Sequence, residues 1–218
     1  MRVLAIFITL LLSGLLWADE CDRLPKPTVT LKRIDEHVTV DTNYSYKELA
    51  RMASPLAKPG TRLLGLTRGK ATVQFAISVP ALVEQGGHWL CASPQVVVTF
   101  GLRPMTVYIA KEVPAGSCAF DEIYRHELRH VRAYQEHLAR IEGTLERTLL
   151  RRFGTESPWR NPPTDTRTQL AREMKERWLP YVRDEINRGE ADQELIDTPE
   201  EYARVADSCN GEVKKLGF

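Results

Sequence analysis

Residues 126–130 read His-Glu-Leu-Arg-His, and these residue types at this spacing are typical of a zinc hydrolase site. Two residues four positions apart on an α-helix lie on one face, about 6 Å apart along the axis, so His126 and His130 can bind one ion. Glu127 projects to one side of that face, within reach of a water molecule on the ion but not of the ion itself. The run therefore predicts two metal ligands, His126 and His130, and a catalytic residue, Glu127.

The predicted chemistry is hydrolysis. Zinc held by three protein ligands keeps a fourth position for water, lowers the pKa of that water toward ~7 and polarises a substrate carbonyl. Glu127 would act as general base toward the water and later deliver the proton to the leaving group. Zinc is predicted from the ligand types, and other divalent ions fit the same histidine and carboxylate set.

A long helix is predicted to present these residues. Residues 120–153 contain no proline and one interior glycine, Gly143, and their apolar residues recur with helical spacing. Asp121 and Glu122 suit the start of a helix, and Gly154 suits its end. Arg129 departs from the usual pattern, because such runs carry uncharged residues between the glutamate and the second histidine.

The third metal ligand is expected on a second helix. His137 lies about 10 Å beyond His130 on an unbroken helix, so it is expected to be a surface or helix-packing residue rather than a ligand of the ion. A second helical stretch begins near residue 165, after a loop rich in helix breakers. An antiparallel helical hairpin would return residues 184–190 to the two histidines, which makes Glu185 the leading candidate for the third ligand. Three further carboxylates remain open as alternatives, namely Glu190, Glu200 and Glu201.

The N-terminal residues 1–18 resemble a secretory signal peptide, a short apolar stretch that ends in a small residue, Ala18. An uncleaved membrane anchor is the alternative, but the stretch is shorter than the ~20 residues a span needs. We therefore expect a periplasmic or secreted product with no stable membrane insertion after signal cleavage.

The four cysteines would then lie in an oxidising compartment, where two disulfides are expected. Three pairings are possible. We favour Cys91 with Cys118, joining a strand to the loop before the motif helix, and Cys21 with Cys209, joining the two ends of the chain. No two cysteines lie close together in the sequence, which argues against a role as metal ligands.

Composition predicts one domain, residues 19–218, because 43% hydrophobic content over this length can bury one core and no repeat divides it. The formal net charge of +1 gives no field that would gather nucleic acid, so no nucleic-acid partner is expected.

The order of elements predicts an α+β fold, with N-terminal antiparallel strands followed by a C-terminal helical half that carries the motif helix, a zincin-like arrangement. Strands are predicted at residues 28–32, 38–42, 71–79, 97–100 and 105–110 from alternating or β-branched runs. Residues 46–52 are predicted to be helical, and a last helix opens at Pro199 and runs to about Cys209.

The chain resembles a bacterial family of predicted secreted zinc-dependent proteases over roughly residues 36 to 145. The resemblance is carried by residues 44–49 after a strand, Gly65-Leu-Thr before a strand, Cys91 before a valine-rich strand, and the motif continuing as residues 131–135. It implies a periplasmic metallohydrolase with His126 and His130 as ligands and Glu127 as catalytic acid and base. Members of this family often end in a Tyr-Asp and Thr-x-His-Gly pattern, whereas this chain has residues 196–202, Ile-Asp-Thr-Pro-Glu-Glu-Tyr, and no histidine after His137.

Two functions from different classes remain. The leading interpretation is a zinc metallopeptidase that binds an extended peptide by strand addition beside the metal, with peptides or peptidoglycan peptides as substrates. The alternative is a non-catalytic envelope binding protein with a structural or vestigial metal site. A structural site has four protein ligands and no open position, so the role of Glu127 separates the two.

Overall fold

The structure, a computed structural model, describes residues 19–35, 37–53, 62–162 and 165–216. The predicted signal peptide lies outside the described residues. In chain order the elements are β1 (Thr28–Arg33), β2 (Thr39–Asp41), α1 (Tyr46–Ala53), β3 (Gly65–Ser78), β4 (Ala81–Val83), β5 (Leu90–Ala92), β6 (Gln95–Ile109), α2 (Cys118–Phe153), β7 (Trp159–Asn161), α3 (Thr166–Glu173), α4 (Leu179–Asn187), α5 (Glu190–Glu194) and α6 (Pro199–Leu216). This order, strand-rich and then helical, confirms the predicted mixed α and β composition.

The larger sheet is built around β6. Strand β3 pairs with β6 antiparallel, as predicted, but β1 and β2 both pair with its other side in parallel. The prediction of antiparallel strands is therefore wrong for β1 and β2. The physical reason is the long connection, because α1, β3, β4 and β5 intervene and let the chain re-enter the sheet in the direction of β1.

The two strands predicted at 97–100 and 105–110 are one strand, β6. A shift in the register between Gly69 and Ala71 of β3 faces the Arg103–Pro104 pair of β6. An irregularity of this kind lets two strands stay paired across a proline, which has no N–H to donate to the ladder. A smaller antiparallel sheet has the order β4-β5-β7.

The helix α2 packs on the larger sheet through an apolar stripe. Its buried residues include Ile123, Leu138, Leu145 and Leu149, at the spacing that predicted the helix. Ser117 caps its start by accepting a hydrogen bond from the N–H of Phe120 at 3.1 Å. The stripe packs against β6 and fixes how α2 lies on the sheet, which in turn fixes the motif residues.

The second predicted helix is confirmed as α3 and α4, joined through the π-helical turn Met174–Trp178. Its start is capped by Asp165, which accepts from the N–H of Thr168 at 3.0 Å. The last helix, α6, begins at Pro199 as predicted, and its first non-helical residue is Ser208. Within the described residues, no helix is long and apolar enough to cross a membrane.

Two disulfides are present, but both predicted pairings are wrong. Cys21 is bonded to Cys91 and Cys118 to Cys209. The parallel pairing of β1 with β6 is the reason for the first bond, because it places the chain before Thr28 beside the chain before Gln95. The second bond joins the start of α2 to α6, which packs along it.

Candidate metal centre

The three motif residues lie on α2 and are all buried. The exposed fractions of His126, Glu127 and His130 are 7%, 4% and 7%. One helical turn separates the histidines, and their rings meet edge to face with centroids 5.0 Å apart. The Nε2 atoms of the two histidines lie 3.2 Å from each other.

Asp197, in the turn between α5 and α6, completes the group. Its Oδ1 lies 3.2 Å from His126 Nε2 and 3.2 Å from His130 Nε2. The three atoms form an equilateral triangle, and these residues are a group that could hold a metal ion. Three ligand atoms of an ideal tetrahedral zinc site, at bond lengths of about 2.1 Å, lie about 3.4 Å apart. The triangle therefore fits a tetrahedral ion with a fourth position left open.

The other ring nitrogens of both histidines have partners. His126 Nδ1 lies 3.1 Å from Glu201 Oε1, and His130 Nδ1 lies 2.9 Å from Gln193 Oε1. The side-chain nitrogen of Gln193 donates to the carbonyl of Gly189 at 3.3 Å, which orients its oxygen toward His130. Carboxylate and amide oxygens only accept hydrogen bonds, so both Nδ1 atoms carry the proton that is donated.

This tautomer leaves a lone pair on each Nε2. The two Nε2 atoms and Oδ1 of Asp197 are then three acceptor atoms, each 3.2 Å from the other two, and none of them carries a proton. Such a group requires a cation at its centre, either a metal ion or an added proton. Histidine ligands whose second nitrogen donates to a carboxylate or amide are the usual arrangement in metal sites.

The pKa values of these groups shift in directions that follow from the same geometry. Burial alone would lower the pKa of each histidine, but Asp197 and Glu127 more than offset it, so both pKa values are raised. Burial opposes the ionised form of Asp197, yet its hydrogen bonds to the histidines hold its pKa well below the ordinary range. The site thus concentrates negative charge around the place where a cation would lie.

Arg129, the unusual charged residue of the motif, supports the site from outside. Its Nη1 lies 2.5 Å from Glu201 Oε1, and Arg204 donates to both oxygens of Glu201 at 2.8 and 3.0 Å. Arg204 is the largest cause that holds the pKa of Glu201 well below its usual range. Glu201 is therefore ionised and fixed, as a partner of His126 must be.

Glu127 lies on the sheet side of α2. Its Oε2 accepts a hydrogen bond from the hydroxyl of Thr67 in β3 at 2.8 Å. Burial is the largest influence on the pKa of Glu127 and raises it, although the two histidines and Thr67 act in the opposite direction. A carboxylate with a raised pKa accepts a proton more readily than an ordinary glutamate does.

Gly65 of β3 makes room for this carboxylate. A Cβ atom at Gly65 would lie 2.3 Å from Glu127 Oε1 and 2.9 Å from Ile123 Cγ2. Gly65→Ala is therefore expected to displace Glu127 and to lower the free energy of unfolding by about 1–3 kcal/mol. Thermal unfolding together with a hydrolysis assay measures both effects.

Gly143→Ala is the matched control, since the same methyl group in α2 would meet only the flexible end of Arg147, at 3.4 Å. That variant is expected to gain up to about 1 kcal/mol, because alanine is the better helix former. Equal behaviour of the two variants would show that Gly65 does not shape the position of Glu127.

Removal of the partner of His126 is expected to weaken metal binding. Glu201→Gln keeps the shape of the side chain but loses the charge that holds Nδ1–H of His126, so the affinity for zinc should fall about 10–100-fold. Competition with a chromophoric chelator measures the affinity. Glu194→Gln is the control, because Glu194 lies on the exposed side of α5. An unchanged zinc affinity in Glu201→Gln would contradict a role of the His126–Glu201 hydrogen bond in metal binding.

The structure does not bring Glu185, the predicted third ligand, to the histidines. Its carboxylate bonds to Arg188 at 2.7 Å, while its backbone carbonyl accepts from His137 Nε2 at 2.7 Å. The antiparallel hairpin exists, but Glu185 lies beside His137, two helical turns from His130. Because the two helices run antiparallel, the segment opposite His126 lies beyond Glu185 by the number of residues that separates His126 from His137. That segment is the turn that carries Asp197.

His137 packs against the second helix, as expected, and Gly189 approaches its ring closely. Sequence reasoning missed Asp197 and Gln193, and it weighed Glu201 only as a ligand. The signal that could have found Asp197 is its position two residues before the helix start at Pro199, in the turn that follows the hairpin.

Comparisons with protein-family models, with curated proteins and with solved structures find no match for this chain. The resemblance to secreted zinc-dependent proteases therefore stays a prediction, and a proposal on function rests on the geometry of the site.

Proposed function

We propose that this protein is a secreted or periplasmic zinc-dependent hydrolase of zincin-like fold, most simply a metallopeptidase. The observation that carries the proposal is the triangle of His126 Nε2, His130 Nε2 and Asp197 Oδ1, with both outer histidine nitrogens bonded to acceptors. A buried carboxylate, Glu127, follows the first histidine in the same helix. Each of these features has a separate purpose in a hydrolase, and Glu127 interacts electrostatically with both histidines.

Zinc is the metal proposed for the triangle. Two imidazoles and one carboxylate form a donor set that zinc accepts in catalytic sites, where three protein ligands leave one position open. When bound there, zinc would supply a Lewis acid that lowers the pKa of water and polarises a carbonyl group. The described residues provide three ligands rather than four, which favours a catalytic over a structural site.

Glu127 is proposed as the general base. Its carboxylate accepts a hydrogen bond from Thr67 and lies close against Gly65, so it is fixed rather than free to rotate. It would take a proton at one carboxylate oxygen from the attacking water and return it to the leaving amine. Its raised pKa makes this carboxylate a stronger base toward that water than an ordinary glutamate is.

An extended peptide is the proposed substrate, because β3 offers an edge beside Glu127. Among the described residues, β3 pairs with β6 alone, so its other edge has no strand partner there, which supports the proposal of strand addition. Thr67, which bonds to Glu127, belongs to this strand. A peptide added to β3 would therefore pass close to the proposed base. Peptides of protein and of peptidoglycan origin both meet this requirement.

The compartment is proposed from the cysteines. Both disulfides are of a kind that forms and persists outside the cytosol. Together with the predicted signal peptide, they support a periplasmic or secreted location.

A substrate screen tests the proposal. Zinc-loaded protein would be incubated with a peptide library and with purified peptidoglycan peptides, and the products identified by mass spectrometry. We expect cleavage that a chelator abolishes and added zinc restores. If protein with one bound zinc cleaves neither set, the alternative of a non-catalytic envelope binding protein with a structural or vestigial metal site would be favoured.

A further inference from the structure

The disulfide between Cys118 and Cys209 encloses the metal-binding triangle, Glu127 and the outer partners of the two histidines. Its two cysteines are 91 residues apart in the sequence. Six residues of the site lie inside this loop: His126, Glu127, His130, Gln193, Asp197 and Glu201. The other disulfide, Cys21–Cys91, encloses none of them.

The disulfide and the contact between His126 and Glu201 both join α2 to α6. Helices α2 and α6 pack together, and the bond joins the first residue of α2 to Cys209 of α6. His126 is eight residues along α2 from Cys118, and its partner Glu201 is eight residues back along α6 from Cys209. Between these two ties, Glu122 of α2 accepts from Arg204 of α6 at 2.6 Å. The bond therefore fixes the register that places Glu201 against His126.

The backbone around Cys209 depends on this tie. Residues 208–211 interrupt α6, and Cys209 and Asn210 both have a φ of 56°. This left-handed conformation is unfavourable for residues with a side chain, and two in succession are rarely adopted without an external restraint. A chain released at Cys209 would be free to leave it.

The two disulfides also differ in exposure. Cys21 and Cys91 are 3% and 0% exposed, whereas Cys118 is exposed and Cys209 is half-buried. A thiolate must reach a sulfur atom to exchange with a disulfide. The disulfide with the more exposed cysteines is thus the one that encloses these six residues.

We propose that Cys118–Cys209 is a redox-modification site, reduced by a dithiol oxidoreductase, and that its state sets the metal affinity of the site. The inference rests on metal binding at the triangle, as in the proposed function. A thiolate of the dithiol attacks Sγ of Cys118 and expels the Cys209 thiolate, which takes up a proton. The second thiolate of the dithiol then releases Cys118. The dithiol is oxidised to a disulfide, and two electrons and two protons pass to the two cysteines.

Reduction weakens metal binding through Glu201 and Asp197. Both residues lie on the α5–α6 side, so they lose a fixed position relative to the histidines of α2 once the tie at Cys209 is broken. Loss of an outer partner alone costs about 10–100-fold in metal affinity, so a fall of at least this size is expected. Linkage is reciprocal, so bound metal lowers the equilibrium constant for reduction of this disulfide by the same factor.

Paired variants of the mature chain test the inference. Cys118→Ser/Cys209→Ser removes the accessible bond, and Cys21→Ser/Cys91→Ser is the control that removes the buried one. Zinc affinity would be measured by competition with a chromophoric chelator, and folding by circular dichroism. We expect the affinity to fall at least 10-fold in the first variant and to stay within about 3-fold of wild type in the control. Equal affinities in the two variants would overturn the inference, whereas no zinc binding by wild type would overturn the proposed function instead.

A second measurement on the wild-type protein remains informative if either variant fails to fold. The protein would be equilibrated in glutathione redox buffers of graded potential with and without excess zinc, quenched with acid, alkylated in denaturant, and mapped by mass spectrometry. We expect zinc to lower the fraction of Cys118–Cys209 that is reduced at a given potential and to leave that of Cys21–Cys91 unchanged. The same reduced fraction of Cys118–Cys209 with and without zinc would contradict the coupling.

Discussion

Replacing Glu127 with glutamine is expected to leave zinc bound while lowering the rate of peptide hydrolysis by about 10²–10⁴-fold, the usual contribution of a general acid or base. Glutamine has nearly the same shape and can still hydrogen-bond to the hydroxyl of Thr67, so the helix and the metal ligands stay in place. The amide cannot take a proton from water. The change therefore removes one chemical function from the site, and steady-state kinetics beside zinc analysis measures both consequences.

Glu136→Gln is the matched control for this variant. Glu136 lies on the exposed side of the same helix, so the same substitution should change neither zinc content nor hydrolysis. Normal activity of Glu127→Gln would rule out the proposed mechanism, even if the protein proves to be a metal-dependent hydrolase. Loss of zinc in Glu127→Gln would mean that this carboxylate supports metal binding.

Asp197→Asn is expected to lower the affinity for zinc by more than the roughly 10–100-fold that loss of an outer hydrogen-bond partner costs. The substitution keeps the size of the side chain and removes the negative charge of the carboxylate. The Oδ1 atom of that carboxylate lies 3.2 Å from both histidine Nε2 atoms. Hydrolysis should be lost at any zinc concentration that leaves the variant unloaded. Isothermal titration calorimetry measures the affinity directly.

Glu185→Gln provides the comparison for Asp197→Asn, because both residues follow α3 and one carboxylate is lost in each case. The Glu185 carboxylate bonds to Arg188 and not to the histidines, so zinc affinity should be unchanged. The reverse outcome, with affinity lost in Glu185→Gln and kept in Asp197→Asn, would restore the ligand that the sequence favoured and contradict the observed triangle.

The elements that position the histidines could be predicted because their signals are local. The apolar stripe of α2, its glycine end and the proline start of α6 each depend on residues within a few positions of one another. The same holds for His126, Glu127 and His130, which depend on a single helical turn. Local patterns of this kind do not require knowledge of the rest of the fold.

The third ligand and the disulfides could not be predicted, because both depend on long-range pairing. The position of Asp197 follows from where the second helix passes α2, and the contact between His137 and the carbonyl of Glu185 marks that register. Likewise, the bond between Cys21 and Cys91 follows from the parallel pairing of β1 with β6. A parallel pairing joins segments far apart in the chain, and no short motif announces it.

The outer partners of the histidines were hidden for a different reason. Glutamate and glutamine are common on exposed helix surfaces, so Glu201 and Gln193 carry no distinctive signal in the sequence. Arg129 departs from the usual pattern of such motifs, but the sequence does not identify its partner. In the structure its partner is Glu201, which holds His126.

The most direct test of the central claim is a crystal structure of the zinc-loaded mature protein with diffraction data collected on both sides of the zinc absorption edge. We expect one peak of anomalous difference density per chain, within about 2.0–2.2 Å of His126 Nε2, His130 Nε2 and an Asp197 carboxylate oxygen. The account would be contradicted if protein exposed to excess zinc shows no peak at the triangle. It would also be contradicted if the zinc ion is coordinated by other residues.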